Sequence, residues 1–317
     1  MLSLREGLFD NNLLKSVNVK QSQFPKLVEA GTILGDISQQ LVKKYSLPQT
    51  EVVTVATHDT ASAVIGTPAL GQRWAYLSSG TWSLIGAELN TPENGEKAFE
   101  QNYTNEWGAY GTYRFLKNIM GLWVIQNIKK ELNNQYSFAA LAALAKREPP
   151  FQQFIDINAA RFQNPENMIA ELQAYCRETK QKVPESPGEL AMAVYSNLSL
   201  YYANELSILD DILGYHIDSL NIVGGGSNVD LMNQLTATVS GVDVYAGPSE
   251  ATAIGNIMVQ MITKGDILNI YLARQIISDS FKIDKFVPER EKYSNILDDY
   301  KKFLKNEKYK GGNLVDS

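Results

Sequence analysis

An α/β fold is predicted by three segments that share one pattern. Residues 51–64 (EVVTVATHDTASAV), 220–239 and 242–262 each run from Val- or Ile-rich residues through a polar or glycine-rich turn into a helix-forming stretch. Strands alternating with helices in this way build a sheet covered by crossover helices. With 317 residues the chain has room for two domains, and its 44% apolar and 20% charged residues are those of a soluble globular protein. A net charge of −6 without a basic block argues against nucleic acid and anionic membrane as partners. The single cysteine, Cys176, forms no internal disulfide and points to a reducing compartment, and with only two histidines a His/Cys metal centre is nearly excluded. Magnesium held by carboxylates or brought in with a nucleotide is still compatible with this composition. No apolar run reaches the length of a membrane span, and residues 1–12 lack the basic-then-apolar pattern of a signal peptide, so a cytoplasmic location is expected.

Taken in order, residues 1–50 close no core of their own. Leu8, Leu13 and Leu14 are scattered among polar residues, and residues 22–38 read as a loop entering a short strand and turn. Residues 51–57 predict a strand, His58–Asp59–Thr60 a polar turn, and the small residues after it a closely packed helix. A carboxylate at the carboxyl end of a strand and the start of a helix lies where open α/β folds bind ligands, and the helix end favours its ionised form. An ionised Asp that accepts a hydrogen bond from a substrate hydroxyl is what phosphoryl transfer requires of its base. An Asp in this place also caps helices, and the fragment alone leaves both roles open for Asp59.

Residues 73–88 predict two strands around a Ser79–Gly80 turn, with hydroxyls on Ser78, Ser79, Thr81 and Ser83. Such a tip is either an ordinary polar hairpin end or a concavity for phosphate oxygens. Residues 89–112 read as an elaborated loop or a small sheet edge. Residues 113–132 predict one helix, apolar on most sides and therefore buried, in which Asn118 and Gln126 must find hydrogen-bond partners. Three further helices are expected over 138–147, 168–179 and 188–213, the last announced by Pro187 and carried by Leu190, Val194, Leu198, Tyr202, Leu206 and Leu209 at helical spacing. Tyr201 and Tyr202 read as packing residues and His216 as a loop histidine. The strand at 220–223 then runs into Gly224, Gly225, Gly226 and Ser227 before a helix over 229–239. This lets backbone approach an anion, although it is neither a Rossmann fingerprint nor a Walker loop. A strand at 242–245, a turn with Glu250 and a small-residue helix over 251–262 follow, and a charged helix closes the chain.

Taken together, THDTASAV, YLSSGTWSLIG, FLKNIMGLWVIQ, IVGGGSNVDLMNQL and AGPSEATAIGN resemble, in order, the C-terminal part of an FGGY-type carbohydrate kinase, from about Asn12 onward. The stretch KNIMGLW points to the branch of the family that acts on rhamnulose. The resemblance implies two lobes of the ribonuclease H-like, actin-like ATPase fold. Residues 1–70 would be the last part of the first lobe, most of which is missing, and 71–317 a complete second, nucleotide-binding lobe. It implies ATP with Mg2+ as phosphate donor and L-rhamnulose, phosphorylated on its C1 hydroxyl, as acceptor. Asp59 would be the catalytic base, and His58, Asp59, Thr60 and Asn118 would contact the sugar. Thr81, Gln126, Gly224, Gly225 and Gly226 would bind the nucleotide, and no residue would be a dedicated metal ligand. Two departures stand out. Val229, with Asn228 one position earlier, occupies a place where the family has asparagine, and the Asp-x-Gly-Ser/Thr phosphate loop that opens the first lobe does not occur. The alternatives are a kinase of another ketose, such as fuculose or xylulose, and a non-catalytic nucleotide- or sugar-binding remnant. A chain without most of one lobe is expected to be impaired on its own, and to expose apolar surface around residues 51–57 that favours self-association.

Overall fold

The computed structural model describes Ser3, residues 9–289 and residues 292–312, with the side chains of 308–312 excepted; Leu8 lies outside them. Helix α1 (Asn11–Ser16) starts at Asp10, whose carboxylate accepts from the Asn12 and Leu13 amides. Strands β1 (Ile33–Asp36) and β2 (Glu51–Val53) pair antiparallel around α2 (Gln39–Tyr45). The strand expected over 51–57 is thus only three residues long. Beyond Thr54, which still bonds to Thr32, the backbone turns into α3 (Asp59–Ile65), and the Ala56 carbonyl accepts from the Ser62 hydroxyl instead of from a neighbouring strand.

Among the described residues the main sheet has seven strands. In chain order the elements are β3 (Trp74–Ser79), β4 (Trp82–Leu89), α4 (Glu96–Glu100), β5 (Thr104–Trp107), β6 (Tyr113–Met120), α5 (Trp123–Glu131), α6 (Phe138–Ala145), α7 (Met168–Glu178), α8 (Pro187–Leu213), β7 (Ser219–Val223), α9 (Asp230–Ser240), β8 (Asp243–Ala246), α10 (Ala251–Lys264), α11 (Ile270–Ser280), β9 (Asp284–Phe286) and α12 (Ile296–Gly312). Across the sheet the order is β5-β6-β4-β3-β7-β8-β9. Strands β3, β7 and β8 run parallel, and the others attach antiparallel on either side.

The single helix expected over 113–132 is instead strand β6 followed by helix α5. β6 lies between β4 and β5 and carries buried residues on both faces. Phe115 and Ile119 enter the core formed with α5 and α8, while Leu116 packs with Val64, Trp74 and Tyr76 on the face beneath α3. A strand buried on both sides loses the polar-apolar alternation that would distinguish it from a buried helix. The break between strand and helix falls at Gly121, where a Cβ would approach the Gly80 carbonyl oxygen to 2.7 Å. Residues 89–112 hold α4 and the edge strand β5.

Helix α8 is the spine of the larger core. A capping box between Ser186 and Glu189 starts it, with Pro187 at its first position, and Gly214 ends it with φ +72°. Tyr201 and Tyr202 are both buried within it, and His216 lies in the following loop, its Nδ1 2.6 Å from Asp210. On the opposite face of the sheet, α3 crosses α10 at two glycines. A Cβ on Gly66 would lie 2.9 Å from the Ala251 carbonyl carbon, and one on Gly255 would lie 2.8 Å from the Gly66 nitrogen. That close approach holds the middle and end of α3 against α10.

Candidate functional site

The parallel strands β3, β7 and β8 deliver their carboxyl ends to one edge of the sheet, where open α/β folds place their ligands. β3 ends at Ser79 and opens the hairpin tip Gly80–Thr81. That tip is tied to the start of α5, because the Leu122 and Trp123 amides donate to the Gly80 and Thr81 carbonyls at 2.9 and 3.1 Å. Gln126 follows one turn into α5, so Thr81 and Gln126 flank the same corner. β7 ends at Val223, directly beside Ser78, and runs into the glycine turn.

Gly224 has φ +81° and ψ −165°, a conformation essentially restricted to glycine. A Cβ there would stand 2.8 Å from the Ser79 carbonyl oxygen, and one on Gly226 would overlap the Ser79 side chain. The glycines therefore let the two turns seat on one another. As the first residues of a short helical turn, Gly225 and Gly226 present amide N–H groups without intrahelical acceptors. Beneath them lies a buried hydroxyl chain. Ser83 Oγ is 3.5 Å from Ser79 Oγ and 3.4 Å from the Tyr202 hydroxyl, which burial pushes up to about 12 so that it stays protonated. Tyr202 thus packs the core and also supports the hairpin tip.

His58–Asp59–Thr60 occupy the start of α3. His58, rather than Asp59, precedes the helix, and its side chain makes no capping bond. Asp59 is the first helical residue, with its side chain 78% exposed. Its Oδ1 accepts from the Thr60 amide at 2.7 Å and faces the Thr60 hydroxyl at 3.4 Å. Thr60 is buried. The start of α10 joins this corner to the glycine turn. The Thr252 hydroxyl donates to the Asp59 carbonyl at 3.2 Å, and three residues before α10 the Pro248 carbonyl accepts from the Gly224 amide at 3.4 Å. A small cluster of Ala63, Val223 and Ala251 fills the space between α3, β7 and α10.

Asn118 lies on the α3-facing side of β6, the side that also carries Arg114 and Leu116. It is exposed, opposite Leu84, and Gln126 is half-buried, so neither is the buried amide that a helix over 113–132 implies. Among the described residues no group of three or more His, Cys, Asp or Glu side chains is placed to hold a metal ion, and no helix is long and apolar enough to cross a membrane.

Sequence reasoning missed Arg114. Its side chain is 3% exposed, its Nη2 donates to Glu106 at 2.6 Å, and its Nη1 lies 3.5 Å from His58 Nδ1. Reading 113–120 as a strand would have found it, because alternation then puts Arg114 and Asn118 on one face. Thr252 was missed as well, and only the crossing of α3 and α10 reveals it.

At one edge of the α/β sheet the structure thus gathers two interlocked turns and a helix start that carries a carboxylate. Residues 75–263 match the C-terminal domain of the FGGY family of carbohydrate kinases, and the chain belongs to that family. It is 71% identical over 308 residues to the rhamnulokinase of Ligilactobacillus salivarius, covering 97% of this chain and 64% of that protein. It is 67% identical over 306 residues to the rhamnulokinase of Lactiplantibacillus plantarum, covering 96% of this chain and 63% of that one. The chain therefore spans less than two thirds of the length of these relatives. A ligand-bound xylulose kinase from Lactobacillus acidophilus superposes with a TM-score of 0.74 at 17% identity, covering 96% of this chain and 62% of that chain. The fold is that of these sugar kinases, the ribonuclease H-like, actin-like ATPase arrangement, and the mixed seven-stranded sheet is its second lobe.

Proposed function

We propose that this chain carries the acceptor-activating and nucleotide-binding parts of a cytoplasmic rhamnulokinase, transferring the γ-phosphate of ATP to the C1 hydroxyl of L-rhamnulose. The observation that carries the reading is the short bridge through the start of α10, from Asp59 by Thr252 and from Pro248 to the Gly224 turn. It links a carboxylate able to take a hydroxyl proton to a turn able to hold phosphate. Residues 1–70 are assigned to the first lobe and 71–317 to the second. Asp59 receives the proton as the C1 oxygen attacks the γ-phosphorus and ADP departs with the bridging electron pair. His58, Thr60 and Asn118 orient the sugar. Thr81, Gln126 and the Gly224–Gly226 turn hold the nucleotide, and magnesium bound with it would supply charge neutralisation. The fit of the turn rests on its free amide N–H groups and on the closeness that glycine allows.

The test is ADP release from magnesium-ATP and L-rhamnulose, with fuculose and xylulose beside it and an Asp59→Asn variant in parallel. Replacing a general base costs about 10²–10⁴-fold, so turnover that persists in the variant overturns the assignment of Asp59. A second reading is a chain that binds nucleotide or sugar without turnover. Saturable ATP binding without ADP release would select it.

A further inference from the structure

We propose that Arg114 is a positioning residue that fixes the tautomer of His58 and thereby keeps Asp59 free to accept a sugar proton. Two groups compete for His58 Nδ1, namely Arg114 Nη1 at 3.5 Å and Asp59 Oδ1 at 3.5 Å. A guanidinium has only donors and stays charged. A neutral imidazole that pairs with it presents a lone pair at Nδ1 and carries its proton on Nε2, and the buried Arg114, unlike the 78% exposed Asp59, has no water to turn to instead. With Nδ1 unprotonated, the contact to Asp59 is not a hydrogen bond, and the carboxylate is left for the substrate hydroxyl. The half-exposed imidazole then offers Nε2–H as a donor beside the Asp59 acceptor. A donor and an acceptor side by side suit two hydroxyls of one sugar.

The sheet holds Arg114 in this role. It stands opposite Glu106 on β5 and opposite Glu88 on β4. Glu106 takes its Nη2, and Glu88 is bound instead by Arg274 at 2.9 Å, so Nη1 of Arg114 remains for the histidine. Its Nε approaches the Trp107 carbonyl at 3.4 Å, which locks the plane of the guanidinium. Removing Arg114 leaves Nδ1 facing only the carboxylate, and the proton moves to Nδ1 to bond with Asp59. The benefit to catalysis rests on Asp59 being the base; the tautomer itself does not.

The two histidines of the chain make the measurement direct. His216 Nδ1 lies 2.6 Å from the Asp210 carboxylate and must carry a proton there, so the two rings should hold opposite tautomers. Nitrogen-15 spectra of the ring nitrogens would be recorded on the whole chain above the ordinary imidazole titration range, with His216→Gln used for assignment. The expected result is a pyridine-type Nδ1 and pyrrole-type Nε2 for His58, reversed in Arg114→Met and retained in Arg114→Lys, which keeps a donor-only cation. A pyrrole-type Nδ1 on His58 in the unmodified chain overturns the proposal, as does an unchanged tautomer in a folded Arg114→Met chain. Should Arg114→Met fail to fold, the unmodified chain and Arg114→Lys still decide. If the tautomers are as stated while Asp59→Asn keeps turnover, the proposed base fails and the Arg114–His58 arrangement stands.

Discussion

Gly255→Ala is the substitution whose sign separates local propensity from tertiary packing. Within a helix interior, alanine in place of glycine is worth about 0.8–1.0 kcal/mol, so local reasoning predicts a more stable protein. In the structure the added Cβ would overlap the Ser62 carbonyl oxygen and stand 2.8 Å from both the Ser62 carbonyl carbon and the Gly66 nitrogen. All three are main-chain atoms of the α3 segment, so no rotamer change relieves the contact. Restoring an ordinary 3.4 Å separation from the nitrogen alone requires α3 and α10 to part by about 0.6 Å. Overpacking of this kind costs about 1–3 kcal/mol, the upper end applying where backbone meets backbone. Set against the propensity gain, the net loss is about 2 kcal/mol, a drop of about 1 M in the urea midpoint for a slope near 2 kcal/mol/M. Urea denaturation followed by circular dichroism checks it, with Gly71→Ala as control. Gly71 has nothing within 4 Å of its would-be Cβ and should gain about 0.4–1 kcal/mol. A Gly255→Ala midpoint equal to or above that of the parent refutes the packing argument.

Glu205 is 1% exposed and is held by Lys117 at 2.8 Å and the Tyr103 hydroxyl at 3.0 Å, so Lys117→Met leaves a buried carboxylate without its cation and should cost about 3–5 kcal/mol in the same assay. Glu189 is held down at about 2, first by its bond to Lys182 and then by the Ser186 and Glu185 amides at the start of α8. A depressed carboxylate stabilises fully above its ordinary value of 4.5 and loses that contribution as pH falls toward 2. The stability gap between the parent and Glu189→Gln should accordingly be constant above about pH 5 and close on acidification, as equilibrium unfolding at stepped pH would show. Burial raises the Cys176 thiol to about 11, so a thiol reagent at mildly alkaline pH should label the chain only after denaturation. Leu13, Val17, Leu34, Leu41, Tyr45 and Val52 stand exposed in the first fifty-odd residues, so the isolated chain should self-associate; a monomer in sedimentation together with a high melting temperature would contradict this.

Much of the candidate site was legible in the linear chain. The HisAspThr turn after a Val/Thr run, the SerGly hairpin and the glycine triplet before a helix each reveal themselves through local chemistry, since a turn's residue types reflect its own backbone geometry. The alternation of strands and helices determined the fold class for the same reason, and the long amphipathic α8 followed from periodicity together with its Ser186–Glu189 start. The stretch 113–132 was not legible, because a strand buried on both faces and a buried helix write the same apolar run. Its true character came only from β4 and β5 flanking β6. What tertiary structure alone decided is the convergence. Parallel pairing of β3 with β7 seats the glycine turn on Ser79, the Gly66–Gly255 crossing brings Asp59 to Thr252, and cross-strand register places Arg114 under His58. These contacts join residues far apart in sequence, and their geometry depends on distances that no local pattern encodes.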